Sequence, residues 1–280
     1  MLLGVITGLA AVLAVVICAC AGGFAGLGWL WLLPVGFAGW FLLLLLLAFL
    51  FLWAACAVVR LDTPQEGDSR FYRVLAARYV ELALAIARVR VDVRGLEKTP
   101  QTGRFMLVCN HLGDSDPAIL LHFFRKSQLA FVSKQENKDM FLVGKMMHKL
   151  SCQLINREND RDALRGILKC IQLIRDDQVS IAVFPEGYVS KQHKLLPLRS
   201  GVFKIAQKTQ VPIAVCTIQG SEDVFRNLKR LKPTDVKLHL VEVIPPEQLQ
   251  GMSTVEIARQ VRSLMIADLD PEYRPEEERA

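Results

Sequence analysis

The sequence predicts an α/β protein, a mixed sheet covered by helices, behind an N-terminal transmembrane helical hairpin. Three observations carry that expectation. The first 59 of 280 residues contain no Lys, Arg, Asp, Glu or His. From residue 89 onward, short apolar runs alternate with stretches of helical period. The 52% hydrophobic content also exceeds the usual share for a soluble protein, and the excess is concentrated at the N-terminus.

Crossing a hydrocarbon layer of ~30 Å takes about 20 helical residues, so the first segment is long enough for two crossings. "LLGVITGLAAVLAVVICAC" (2–20) is one span and "VGFAGWFLLLLLLAFLFLWAACAVV" (35–59) the other. Between them, "AGGFAGLGWLWLLP" has the glycine clusters and the Pro34 of a turn, with Trp29, Trp31 and Trp40 suited to an interfacial belt. A hairpin with both ends on one side follows; a single span with an interfacial lead-in is the alternative. A secretory signal is disfavoured, because there is no basic leading region and the apolar run is too long.

All 34 basic and 28 acidic residues lie between positions 60 and 280. Arg60, Arg70, Arg73, Arg78, Arg88, Arg90 and Arg94 follow the second span closely, which places that side in the cytoplasm. The expectation is therefore a cell-membrane protein whose soluble domain faces the cytoplasm. Its net charge of +6 suits a surface of anionic membrane lipids. A nucleic-acid partner is not expected, because no basic stripe carries interleaved aromatics. The seven cysteines show no C-x-x-C pairing and sit in apolar runs, the pattern of buried reduced thiols.

Residues 60–94 read as a linker, "RLDTPQEGDS", and an interfacial helix in which Arg73, Glu81 and Arg88 fall near one face. A plain domain-packing helix fits the same residues. The α/β domain is assigned to 95–270. Period-two strands are predicted at 89–93 and 235–243, and short apolar strands in "RFMLVC", "LAFVS", "CQLIN", "VSIAVF" and "VPIAVCTI". Helices are predicted over 117–126, 138–150, 161–175, 201–208 and 254–269. The third repeats Leu164, Ile167, Leu168, Ile171 and Ile174 at helical spacing, and the last opens with Ser253 and Glu256, a capping box. Residues 271–280 read as a solvated acidic tail.

In such a sheet, sites gather at the carboxyl ends of strands. The run "RFMLVC" ends at Asn110 and His111, and Asp116 precedes Pro117 at a helix start. An imidazole near neutrality accepts a proton, and a carboxylate on its other nitrogen fixes the tautomer and stabilises the charged form. Asp116 is equally a good N-cap, with Asp114 and Ser115 as turn residues. No two histidines have zinc-ligand spacing, so no metal is expected.

Read together, Asn110-His111-(x4)-Asp116, "LINR" ending in Arg157, "FPEG" containing Glu186 and Gly187, and "VPI" at 211–213 occur in that order. This series resembles the glycerolipid acyltransferase family, whose best-known members are the lysophosphatidic acid acyltransferases. The resemblance implies that His111 is a general base, oriented by Asp116, that deprotonates the hydroxyl of a lysophospholipid for direct attack on an acyl thioester. It implies no cofactor beyond that thioester, carried by coenzyme A or by acyl carrier protein, which would then be a partner. Arg157, Glu186 and Gly187 would shape a glycerol phosphate pocket, although Gly187 also reads as a turn glycine and Glu186 as a hydrogen-bonding partner at the core edge. Arg157 also has a chemical rationale, since a guanidinium offers bidentate donors to phosphate; an ion pair with Glu158 or Asp160 is the competing use. Relatives commonly follow "FPEG" with Thr and Arg, whereas this chain has Tyr188 and Val189. Arg199, just before a predicted helix, is the best replacement for the missing cation, and the change leaves the acyl acceptor open.

Overall fold

A computed structural model describes residues 1–156 and 159–276. In chain order the elements are α1 (Leu2–Cys20), α2 (Trp29–Ala57), α3 (Arg70–Ile86), β1 (Val89–Arg94), β2 (Met106–Cys109), α4 (Asp116–Phe123), β3 (Leu129–Lys134) and α5 (Phe141–Lys149). They continue through β4 (Gln153–Ile155), α6 (Asp160–Arg175), β5 (Ser180–Val183), α7 (Lys204–Thr209), β6 (Ile213–Gln219), α8 (Val224–Lys229), β7 (Thr234–Ile244) and α9 (Thr254–Asp268).

The seven strands form one sheet in the order β1-β7-β6-β2-β5-β3-β4. All neighbours are parallel except β6 and β7, so β1 and β7 run against the other five. The mixed, helix-covered sheet is the predicted one. β2, β5 and β6 are buried at every position, which explains their unbroken apolar runs, whereas β7 alternates over much of its length as a half-covered strand must. The predicted capping box on α9 is present, with Ser253 and Glu256 each bonded to the other's backbone. Asn159 caps α6 by accepting from the Arg161 and Asp162 amides.

At the N-terminus the two apolar helices pack antiparallel. Ile6, Ala10, Ala14 and Cys18, four apart, form the buried stripe of α1, and a Cβ on Gly36 would lie 3.6 Å from Ala14. Small residues permit this close approach. The turn is shorter than predicted: α2 begins at Trp29 and runs through Pro34 rather than starting after it. Gly22, in the left-handed region, suffices to reverse the chain, and Pro34 costs the helix one amide close to its start.

The segment between the hairpin and the sheet departs from the interfacial reading. Arg73 turns inward, pairing with Asp68 and donating to the Leu129 carbonyl at 3.0 Å. Glu81 pairs with the Met1 ammonium and Arg78, and Arg88 lies beyond the helix, donating to Leu231 O. Instead α3 runs along α2: Tyr72 and Tyr79 donate to the carbonyls of Ala55 and Ala48 at 2.8 and 2.6 Å. β1, placed with the linker by the sequence, is a full member of the sheet, paired with β7. At the other end, residues 271–276 are not a free tail. A 3-10 turn spans Pro271–Tyr273, and Tyr273 O accepts from Leu195 N at 2.8 Å.

Candidate active site

Where β2 runs out, Asn110 turns its amide across to β6. Its Nδ2 donates to Ile218 O at 2.9 Å and its Oδ1 accepts from Ile218 N at 2.7 Å. That paired bond fixes the strand end from which His111 leaves. The next residues loop tightly, because a Cβ on Gly113 would meet Ser221 O at 2.9 Å.

The loop closes on Asp116, the first residue of α4, which is fully buried. Its Oδ2 lies 2.8 Å from His111 Nδ1 and also accepts from the amides of Leu112 (2.8 Å) and Gly113 (2.9 Å). A carboxylate with two backbone donors on that oxygen offers Nδ1 only an acceptor, so Nδ1 carries the proton and Nε2 is the basic nitrogen. The imidazole is stacked on Phe184 at 4.1 Å, with the planes 19° apart. Its side chain keeps 13% exposure, and Nε2 has no hydrogen-bond partner among the described residues. The structure therefore brings His111 and Asp116 together and leaves the far nitrogen without a hydrogen-bond partner among the described residues.

Glu186 lies underneath. Its Oε1 accepts from the His111 amide at 2.6 Å and its Oε2 from the Leu196 amide at 2.7 Å. Ser190 N donates to His111 O at 2.9 Å, so the backbone of His111 is held at both its donor and its acceptor. Burial pushes the Glu186 carboxyl up to about 8; the two amides oppose the shift and the nearby Asp116 charge adds to it. Both oxygens of Glu186 are thus engaged with backbone.

Gly187 follows with φ +83, and Arg199 packs across it, so that a Cβ there would sit 2.9 Å from Arg199 Nε. The exposed Arg199 guanidinium lies 5.1 Å from the Tyr188 ring centroid, and the Arg199 amide bonds Pro185 O at 2.9 Å. Arg199 therefore belongs to the "FPEG" loop, next to the departure at Tyr188. Arg157 lies outside the described residues.

Cys109, one residue before Asn110, is the thiol nearest the site. Burial pushes it well above the ordinary thiol range, with Cys216, Asp116 and Glu186 adding to the rise. Its burial and raised thiol fit a core residue, since the reactive form is the thiolate. The sequence reading assigned no role to Phe184, Ser190, Leu196 or Tyr273. For Phe184 a signal was present in its place immediately before Pro185; backbone donors such as Ser190 and Leu196 leave none.

A family model described as Acyltransferase matches residues 90–219, from β1 to the end of β6. The chain is 33% identical over 174 residues to a probable 1-acyl-sn-glycerol-3-phosphate acyltransferase of Mycoplasma pneumoniae, covering 61% of this chain and 64% of that protein. It is 26% identical over 224 residues to 1-acyl-sn-glycerol-3-phosphate acyltransferase alpha of Mus musculus, covering 78% and 72%. The match to the Mycoplasma protein thus spans just under two thirds of its length. Among solved structures, the 1-acyl-sn-glycerophosphate (LPA) acyltransferase PlsC of Thermotoga maritima shares the fold, with TM-score 0.60 at 23% identity, covering 77% of this chain and 84% of that one. The family match runs through all four sequence blocks, and over that region the chain is similar to the PlsC-like glycerolipid acyltransferases.

Proposed function

We propose that this protein transfers a fatty acyl group from a thioester, on coenzyme A or acyl carrier protein, to the free sn-2 hydroxyl of lysophosphatidic acid, giving phosphatidic acid. The observation that carries this reading is the His111 ring, tied through Nδ1 to Asp116 and open at Nε2. The names of the relatives support the acceptor.

On this reading the lipid hydroxyl gives its proton to Nε2 as its oxygen attacks the thioester carbonyl. A C–O bond forms, the tetrahedral intermediate expels the thiolate as the C–S bond breaks, and the imidazolium returns the proton to sulfur. Asp116 supplies the counter-charge while the ring is protonated. Positioned general-base catalysis contributes about 10²- to 10⁴-fold, and orientation with oxyanion stabilisation supplies the rest. Arg199, with Arg157, is the proposed partner of the acceptor phosphate.

The substrate and product are membrane lipids, and two helices of 19 and 29 residues are apolar enough to cross a bilayer. α2 passes α3 antiparallel, so its N-terminal part extends from Ala48 toward the sheet edge where β1 starts and β2 ends. That direction supports a site facing the lipid, and the arginines that follow the second span support a domain on the cytoplasmic side.

Purified protein given lysophosphatidic acid, competing lyso-lipids and acyl-CoA or acyl carrier protein thioester tests the reading by the lipid formed. Phosphatidic acid that disappears in His111→Ala is the expected result; acyl release without a diacyl lipid overturns it. Tyr188 and Val189 in place of the usual Thr and Arg favour a second reading, the same chemistry on another acceptor such as a lyso-ornithine lipid. Preference for that acceptor in the same panel would select it.

A further inference from the structure

The segment after α9 reaches both loops that embrace His111 and Asp116. Its main chain holds one of them, since Tyr273 O accepts from Leu195 N at 2.8 Å. The adjacent Leu196 amide binds Glu186, whose other oxygen holds the His111 amide. Its side chain holds the second, since Tyr273 Oη donates to Glu222 Oε1 at 3.0 Å. Glu222 follows Ser221, whose carbonyl accepts from Ser115 Oγ at 3.1 Å and touches the Gly113 turn.

The strap is anchored on both sides of Tyr273. Asp270 N donates to Gln219 Oε1 at 3.0 Å, Lys237 pairs with Asp270 at 2.6 Å, and Lys194 pairs with Glu276. Glu222 depends on the phenol: its Oε2 is buried with no partner among the described residues, so the Tyr273 hydroxyl is the donor that satisfies the carboxylate. Burial, then the Glu222 charge, push the phenol well above its usual range, so it remains a donor at all working pH. Without that hydroxyl, a half-buried carboxylate left without its donor pulls its loop toward water.

We propose that Tyr273 is a positioning residue for the His111–Asp116 site, and that the 270–276 strap sets the spacing of the two loops that carry it. The catalytic part of this proposal rests on the acyltransferase reading, so its test includes a readout that needs no turnover.

Tyr273→Phe removes only the hydroxyl, Glu222→Ala removes its acceptor, and Glu222→Gln keeps an acceptor for it. In the acyl-transfer assay, Tyr273→Phe and Glu222→Ala should each lose about tenfold in kcat with KM nearly unchanged, the scale of one lost hydrogen bond. Glu222→Gln should stay near wild type, and Tyr273→Phe with Glu222→Ala should lose no more than either alone. Independently of activity, ¹⁵N-histidine spectra of the full chain in detergent should show the His111 Nδ1 proton signal shifted in Tyr273→Phe and restored in Glu222→Gln. An unshifted His111 signal in a folded Tyr273→Phe protein overturns the strap, whatever the substrate. A shifted signal in a protein whose wild type moves no acyl group leaves the strap standing and removes the acyltransferase reading instead.

Discussion

Replacing Asp116 by Asn separates the charge of the dyad from its shape. Asp116 Oδ2 collects the Nδ1 proton of His111 and two backbone amides, while Oδ1 is buried without a partner among the described residues. An Asn carbonyl in the place of Oδ2 keeps all three acceptor contacts, and its amide nitrogen occupies the unpartnered place of Oδ1. The fold should therefore survive. What is lost is the anion opposite an imidazolium that exists only as the hydroxyl gives up its proton. Two unit charges about 4 Å apart at an effective dielectric near 20 interact by about 4 kcal/mol. That is about three decades of rate, and it belongs in kcat rather than KM. Steady-state acyl transfer to lysophosphatidic acid, with thermal unfolding beside it, measures both. An Asp116→Asn enzyme that melts like wild type and keeps kcat within tenfold would refute the assignment of Asp116 as counter-charge.

The raised Glu186 carboxyl makes the folded state the better proton binder. Its contribution to stability is full below the unfolded value of about 4.5 and is lost as pH rises through about 8. Denaturant unfolding should therefore show stability falling by up to roughly 5 kcal/mol across that window, and Glu186→Gln should flatten the slope; an unchanged slope in the variant sinks the claim. Gly187→Ala forces a Cβ into left-handed backbone 2.9 Å from Arg199 Nε, so a loss of about 1–2 kcal/mol is expected in a thermal melt. A neutral result would show that Gly187 does not hold left-handed backbone at that turn. Arg73→Met leaves Asp68, whose side chain is only 6% exposed, with a long contact from Gln128 Nε2 at 3.4 Å in place of its cation, and should cost about 3–5 kcal/mol. Adding Asp68→Leu should recover most of that loss, and failure to do so would place the cost outside the pair.

The sheet and its helices were legible because their signals are local. Buried parallel strands appear as short apolar runs, and α6 and α9 announce themselves by period and cap. The His111–Asp116 pair was legible because the two lie five positions apart along the chain. Other features were not, for physical reasons. Arg73 reads as a surface charge until the fold brings Asp68 and the Leu129 carbonyl around it. Residues 271–276 are polar and proline-broken, so composition alone makes them a tail. Their anchoring comes from Leu195 and Glu222, 78 and 51 positions upstream of Tyr273, which no local pattern reports. For the "FPEG" carboxylate the residues left open a part in shaping a phosphate pocket and a hydrogen-bonding role at the core edge; both its oxygens accept from amides of the loops around it, partners that lie 75 and 10 positions away.

That occupancy suggests how the two buried carboxylates divide the work. A site made where strands stop consists of loops, and loop amides inside a protein need acceptors. Asp116 and Glu186 provide them, together taking four backbone amides as well as the ring proton. Two full charges so close would repel, and the strain shows in Glu186, raised by burial and further by Asp116. Asp116 is the group bonded to the imidazole, while Glu186, with its carboxyl raised, fixes the main chain of the same histidine. Orientation and counter-charge are thus assigned to different residues. For that reason a substitution at either one need not reproduce the kinetic signature of the other.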